Sequence, residues 1–147
     1  MFEPFYQLAS TPFSRDIPTD ELYQSNSLTE ALGRLEYTAN RKLFTVVTGE
    51  CGVGKTTIIR RLKEKLDQTR FLVLYLAESK LTPRYFYRGL ISQLGGESKY
   101  YRGDARHYLH RELEIMQGMH DQNAVIIVDE AHLLEREMLE ELRFLLN

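Results

Sequence analysis

The chain has 147 residues, of which 43% are hydrophobic and 27% charged, and a formal net charge of −2. These values fit one globular domain and exclude wholesale disorder. No run reaches the length of a membrane span, the start lacks the features of a signal peptide, and Cys51 is the single cysteine. We therefore expect a soluble, cytoplasmic protein with no membrane partner and no internal disulfide.

Residues 1–26 predict an N-terminal arm without regular structure, because prolines recur at positions 4, 12 and 18. The arm also carries several aromatic residues, among them Phe5, Tyr6 and Tyr23. Exposing that many rings to water is costly, so we expect the arm to be ordered.

Residues 27–147 alternate between helical patterns and short apolar runs. Ser27 followed by Glu30 is a capping-box pattern and predicts a helix over about 27–40. Further helices are predicted at about 58–66, 83–94, 104–119 and 134–146, and buried strands at 43–48, 71–76 and 124–128. This alternation predicts an α/β fold in which helices flank a parallel sheet.

The segment 49–56 matches Gly-x4-Gly-Lys-Thr in full and follows a predicted strand. Glycines permit positive φ, so several backbone N–H groups can point at one anion, while Lys55 adds charge for the phosphates and Thr56 a hydroxyl for Mg²⁺. A chance match is expected about once in two hundred chains of this length. ATP with Mg²⁺ is the predicted ligand, and its contacts are Gly49, Glu50, Cys51, Gly52, Val53, Gly54, Lys55, Thr56 and Thr57.

A thiolate at Cys51 would make this loop redox-sensitive, since a helix N-terminus lowers the pKa of a thiol. The simpler interpretation is that Cys51 fills one of the four unspecified positions of the motif.

The third predicted strand ends in Asp129 and Glu130, at the edge where open α/β sheets bind ligands. We predict Asp129 as a Mg²⁺ ligand together with Thr56, and Glu130 as the general base that acts with Lys55 in catalysis. The adjacent acids favour an ATPase over a GTPase or kinase. His132 completes Asp-Glu-Ala-His, which is also a helicase signature, but no other helicase motif is present and we interpret His132 as structural.

With both motifs placed, the chain resembles the AAA+ branch of P-loop ATPases, and within it the ExeA-like group, which includes ATPases that partner transposases (MuB, IstB and TnsC/TniB types). The matching motifs are Glu3-Pro4-Phe5, Pro12-Phe13, Leu22-Tyr23-Gln24-Ser25, Glu30-Ala31-Leu32, Val47-Thr48-Gly49-Glu50, Leu81-Thr82-Pro83 and Asp129-Glu130-Ala131-His132-Leu133-Leu134. The resemblance implies a P-loop NTPase fold of the AAA+/ASCE type. It also implies an arm near the adenine, with Tyr23 as a contact, and a polar switch residue at Ser79, although a plain turn is the simpler role there.

Members of this group continue past the acidic strand with a sensor strand, a further strand, an arginine finger and a helical lid. Because the sequence ends at Asn147, the resemblance implies a partial domain, incomplete at its C-terminus, with weak or absent ATP hydrolysis. Exposed sheet edges would then lead to self-association or a rearranged sheet.

A transposition helper would hold duplex DNA mainly through its phosphates. Basic residues interleaved with aromatics occur between positions 80 and 111, and such a pattern suits a phosphate-tracking surface. The candidate contacts are Lys80, Arg84, Lys99, Arg102 and Arg106. The alternative is an ordinary solvated face, and we expect Arg60 and Arg61 to be solvated or at a subunit interface.

Three hypotheses remain open at this point. The first is a homo-oligomeric, ATP-dependent DNA-binding regulator that recruits or licenses a transposase. The second is a secretion-associated ATPase of the ExeA type, and the third is a nucleotide-binding module without turnover.

Overall fold

The computed structural model describes residues 3–9, 11, 17–77, 81–97 and 101–145. The chain divides into two compact units, Met1–Lys65 and Leu66–Asn147. The first unit carries the glycine-rich loop and the second carries the acid pair.

Two helices, α1 (Asn26–Arg41) and α2 (Lys55–Lys65), pack against each other in the first unit. The hydroxyl oxygen of Ser25 caps α1 by accepting from the backbone N–H of Leu28 at 3.2 Å. The helix therefore starts before the predicted cap at Ser27, because Glu30 does not reach back but pairs forward with Arg34 at 2.6 Å.

The segment 43–48, predicted as a buried strand, forms no strand in this structure. Its apolar side chains at positions 43, 44, 46 and 47 are between 40% and 65% exposed. A strand is stable only when a neighbouring strand satisfies its backbone groups, and the described part of this unit contains no other strand. The apolar residues of this segment indicate that it can be buried. Whether it is buried depends on the presence of a neighbouring strand.

Residues 17–22 of the arm are held by contacts with α2. Arg60 donates to the carbonyl oxygen of Ile17 at 3.1 Å. The Arg61 guanidinium donates to the carbonyl oxygens of Thr19, at 3.0 and 2.5 Å, and Leu22, at 3.0 Å. Arg61 is buried, so the prediction that it is solvated or at a subunit interface is wrong.

The expected burial of the aromatic residues in the arm is also wrong where the structure describes them. Phe5, Tyr6 and Tyr23 are all largely exposed. Phe5 and Tyr6 stack edge to face with each other, which shields each ring only in part. Backbone carbonyls bound by arginines, and not aromatic packing, hold residues 17–22 of the arm.

The second unit begins with β1 (Phe71–Leu76), α3 (Pro83–Gln93), α4 (Arg102–His120) and β2 (Asn123–Val128). It ends with a 3-10 turn (Ala131–Leu133) and α5 (Arg136–Leu145). The two strands pair in parallel, with Phe71 opposite Asn123 and Leu76 opposite Val128. A parallel sheet with flanking helices confirms the predicted α/β fold class.

Helix α3 forms the centre of the core of this unit. Thr82 caps it by accepting from the backbone N–H of Tyr85, and Pro83 occupies the first turn. Its inner face buries Phe86, Tyr87, Leu90 and Ile91 against Leu74, Leu109 and Met138 from the neighbouring elements. Each large apolar side chain buried in this way contributes about 1.5–3 kcal/mol to folding. Residues of β1 and β2 pack into or against this cluster, so its burial also stabilises the two strands.

The outer edge of β1 is blocked at Tyr75 by the side chain of Gln93. The backbone N–H of Tyr75 donates to Gln93 Oε1 at 2.9 Å, and Gln93 Nε2 donates to the carbonyl oxygen of Tyr75 at 3.0 Å. The amide thus takes the place of a neighbouring strand at one residue, and this part of the edge is closed to pairing with another chain.

Glu141 of α5 is fully buried and joins three helices. Arg106 donates to its two carboxylate oxygens at 2.7 and 2.8 Å, and Arg102 donates to Oε1. The Tyr87 hydroxyl donates to Oε2 at 2.5 Å. The buried charge is therefore both paired and hydrogen-bonded, as a stable arrangement requires.

Candidate functional site

The loop of residues 49–56 contains two glycines in the left-handed region of backbone conformation. Gly52 and Gly54 have φ of 82° and 96°, where residues with side chains are strained. A Cβ on Gly49 would lie 2.9 Å from Cγ2 of Val53, so any larger residue at position 49 would force the side chain of Val53 to move. The loop runs directly into α2, whose first N–H groups have no partner within the helix and carry its positive dipole end.

Lys55 holds its ammonium over this same loop. Its Nζ donates to the carbonyl oxygens of Gly49 at 2.9 Å and Glu50 at 2.8 Å. The positive charge is thus already within the loop that would hold the phosphates. A bound phosphate would exchange these neutral acceptors for charged ones, which make stronger hydrogen bonds.

The other predicted nucleotide contacts lie on the loop and at the start of α2, and their part in binding stays a prediction. Cys51, Val53 and Thr56 are exposed, and Thr57 lies half-buried in the first turn of α2. Tyr23, proposed as an adenine contact, belongs to the same unit and its ring is 86% exposed. Its part in binding stays a prediction.

Asp129 follows β2 directly and is fixed through its backbone and its side chain. Its N–H donates to the carbonyl oxygen of Leu76 at 2.8 Å, which extends the strand pairing by one residue. Oδ1 accepts from the backbone N–H of Glu130 at 2.8 Å, and Oδ2 accepts from the hydroxyl of Tyr75 at 2.5 Å. Each carboxylate oxygen has two lone pairs, so both can still coordinate a cation.

Glu130 is exposed and its backbone lies in the left-handed region, with φ of 51°. Such a conformation is costly for a residue with a side chain and is often found at functional positions. The Nδ1 atom of His132 lies 3.4 Å from Oε2 of Glu130. His132 therefore contacts the predicted general base, which adds to the structural role assigned to it from the sequence.

Tyr75 was not predicted from the sequence as a site residue. Burial, together with the hydrogen bond to Asp129, raises the pKa of Tyr75 to about 12, so its hydroxyl remains a donor at neutral pH. The feature of the sequence that could have identified it is a tyrosine in an otherwise apolar strand. The structure shows that this strand pairs with the one that carries the acid pair.

The carboxylate oxygens of Asp129 are suited to bind a Mg²⁺ ion that arrives with a nucleotide. The described residues contain no group of three or more His, Cys, Asp or Glu side chains able to hold a metal ion. Mg²⁺ is commonly bound by one or two carboxylates with substrate phosphates and water, and it rarely has a dedicated protein cage. The single carboxylate of Asp129, with both of its oxygens able to accept a further ligand, fits that pattern.

The candidate DNA contacts differ in their surroundings. Arg84 is exposed on α3, whereas Lys80 and Lys99 lie outside the described residues, as does Ser79. Arg102 and Arg106 both bind the buried carboxylate of Glu141, and Arg102 also pairs with Glu137 at 2.5 Å. The charge of these two arginines is therefore largely offset within the protein.

A family model described as an AAA domain matches residues 38–147, which include the loop and the acid pair. The chain belongs to this AAA family. The assignment agrees with the P-loop ATPase class indicated by the two motifs. Among the described residues of this AAA domain, no helix is both long and apolar enough to cross a bilayer.

This AAA domain is similar to the general secretion pathway protein A of Aeromonas hydrophila, with 33% identity over 156 residues. The alignment takes in 100% of the chain and 27% of that relative, so the chain spans about a quarter of the relative's length. No solved structure matches the chain.

Proposed function

We propose that this AAA domain binds ATP with Mg²⁺ and forms the nucleotide-hydrolysing part of an ATPase. The observation that carries the proposal is the loop of residues 49–56, where two glycines with positive φ precede α2 and Lys55, the first residue of that helix, folds back over the loop. This combination is suited to a chain of phosphates because it offers backbone donors, a helix dipole and one mobile positive charge.

In this proposal the residues of the two motifs have separate tasks. The loop N–H groups and Lys55 bind the phosphates, while the hydroxyl of Thr56 and the carboxylate of Asp129 hold Mg²⁺. The ion would supply positive charge to the phosphate oxygens as bonds to phosphorus change. Glu130, whose side chain is exposed to solvent, accepts a proton from the attacking water.

Binding of a fluorescent ATP analogue tests the phosphate-binding role. Lys55→Ala should weaken binding by tenfold or more, since hydrogen bonds to charged groups contribute about 1.5–3 kcal/mol each. Lys63→Ala, on an exposed position of the same helix, is the matched control and should leave affinity unchanged within about twofold. Equal affinity of Lys55→Ala and the unchanged protein would show that the loop does not bind phosphate.

Turnover is tested separately, by the steady-state release of inorganic phosphate. Glu130→Gln keeps the shape of the side chain but removes its basic oxygen, so phosphate release should fall about 10²–10⁴-fold. ATP binding without any measurable release from the unchanged protein would instead support a nucleotide-binding module without turnover.

At the level of the whole protein, we propose a role as a secretion-associated ATPase. The support is the relative named general secretion pathway protein A, which aligns with the full length of the chain. In such a role the nucleotide would act as a switch, with its γ-phosphate ordering a segment that contacts a partner.

The alternative is a homo-oligomeric DNA-binding regulator that recruits or licenses a transposase. In this alternative the candidates for contact with DNA phosphates are Arg84 and Arg88, which are both exposed on α3. Retention of duplex DNA on a filter, measured with and without ATP at several salt concentrations, separates the two roles. ATP-dependent retention that falls steeply with salt would favour the transposition role, and no retention at low salt would favour secretion.

A further inference from the structure

The hydroxyl of Tyr75 and the carboxylate of Asp129 belong to neighbouring parallel strands. Tyr75 lies opposite Ile127 in the sheet, and Asp129 lies two residues beyond Ile127. The hydroxyl of Tyr75 lies 2.5 Å from Oδ2 of Asp129 and donates to it. The contact links residues 54 positions apart in the sequence and lies at the end of the sheet where the acid pair emerges.

This contact fixes the orientation of the carboxylate. A carboxylate at the end of a strand can otherwise rotate, because the terminal torsion of Asp is broad. Here Oδ1 is held by the backbone N–H of Glu130 at 2.8 Å and Oδ2 by the phenol of Tyr75. With a donor on each oxygen, the plane of the carboxylate is defined before any ligand arrives.

The phenol is itself held in place. Gln93 of α3 bonds both the N–H and the carbonyl oxygen of Tyr75, at 2.9 and 3.0 Å. With the backbone fixed in this way, the position of the hydroxyl depends on two side-chain torsions and on its own hydrogen bond to Asp129. A chain of contacts therefore runs from α3 through Gln93 and Tyr75 to Asp129.

We propose that Tyr75 is a positioning residue that orients the Asp129 carboxylate for the Mg²⁺ of a bound nucleotide. This inference rests on the proposed function, since it assumes that Asp129 is a metal ligand. Groups that orient metal ligands typically change metal affinity by 10–100-fold when they are removed. Tyr75 acts through Asp129 and is not assigned a contact with the nucleotide.

The test is a titration of Mg²⁺ against the fluorescence of mant-ATP on the full chain, repeated in EDTA. Tyr75→Phe should raise the half-saturating Mg²⁺ concentration about tenfold and leave binding in EDTA unchanged. Tyr87→Phe is a matched control, because the Tyr87 hydroxyl also donates at 2.5 Å to a carboxylate, that of Glu141. It should lower thermal stability without changing the Mg²⁺ dependence.

Three outcomes overturn the inference. Tyr75→Phe could shift the Mg²⁺ dependence no more than Tyr87→Phe does, or it could lower the half-saturating concentration, which would show that the phenol competes with the ion. In both cases Asp129→Asn, by abolishing the Mg²⁺ dependence, would show that the proposed function still holds. If the unchanged protein binds mant-ATP without any Mg²⁺ dependence, or does not bind it, the proposed metal site and this inference both fail.

Discussion

The loop of residues 49–56 and the acid pair at Asp129 and Glu130 are held in place by different kinds of contact. The loop is shaped by its own backbone, with two glycines at positive φ and Lys55 folded onto the carbonyls of Gly49 and Glu50. The acid pair is shaped by tertiary contacts, through the strand pairing at Leu76 and the hydroxyl of Tyr75. Residues of the loop itself determine its shape, whereas residues distant in the sequence determine how Asp129 is held.

This difference has a consequence for mutations. Substitutions outside the loop should rarely alter its shape, whereas the acid pair should respond to changes in the core of its unit. The largest expected effect is therefore in the second unit, at the buried carboxylate that joins its helices.

Glu141→Ala should destabilise the second unit by about 3–5 kcal/mol, because it leaves the guanidiniums of Arg102 and Arg106 without their buried partner. Urea unfolding followed by circular dichroism measures the change. Glu140→Ala is the matched control, since Glu140 is exposed and pairs with the exposed Arg136 of the same helix at 3.3 Å. That control should change stability by less than about 0.5 kcal/mol, and an equal effect of both variants would contradict the role of Glu141.

The second largest effect is expected in the first unit, at the contact between the arm and α2. Arg61→Ala leaves the carbonyl oxygens of Thr19 and Leu22 without their donor. The expected cost is about 1–3 kcal/mol per unsatisfied buried group, and the arm should lose its order first. Hydrogen exchange of peptides covering residues 17–25 should become faster.

The control for this change is Lys65→Ala, four residues further along α2, whose ammonium pairs with Glu36 of α1 at 2.6 Å. Its exchange in residues 17–25 should match that of the unchanged protein. If Arg61→Ala also leaves exchange unchanged there, the arm is held by contacts other than this guanidinium.

Much of the fold was predictable because its signals are local. The strand at 71–76 and the start of α3 after Thr82 were predicted at their observed bounds, since an apolar run and a cap followed by proline suffice to define them. The segment 43–48 has an equally clear apolar pattern and yet forms no strand. The pattern indicates what a segment can bury, and it contains no information about whether a partner strand is present.

The candidate site divides in the same way. The positive φ of Gly52 and Gly54 follows from the motif itself, although the phosphate-binding role of the loop stays a prediction. Tyr75 and Arg102 could not be assigned from the sequence, because their partners Asp129 and Glu141 lie far away along the chain. A basic residue in a sequence pattern is a candidate phosphate contact only until the fold shows which carboxylates lie beside it.

The smallest expected effect is on the ionisation of Tyr75, one of nine tyrosines in the chain. It tests the contact between Tyr75 and Asp129 directly. Burial and Asp129 raise the pKa of Tyr75 to about 12, above the ordinary value of 10.0 for a tyrosine. Because the folded state keeps the proton longer, the stabilisation from this group is complete below pH 10 and is lost as the pH rises to about 12.

Absorbance of tyrosinate at 295 nm, followed against pH on the folded protein, measures this shift. The difference between the unchanged protein and Tyr75→Phe should be one phenol that ionises near pH 12. Asp129→Asn removes the negative charge but leaves the burial of the phenol in place, so it should lower the pKa of Tyr75 from about 12 part of the way towards the ordinary value of 10.0. A Tyr75 that already ionises at that value beside the intact Asp129 would mean that the carboxylate is not held by the phenol, and the contrast with the self-contained loop would disappear.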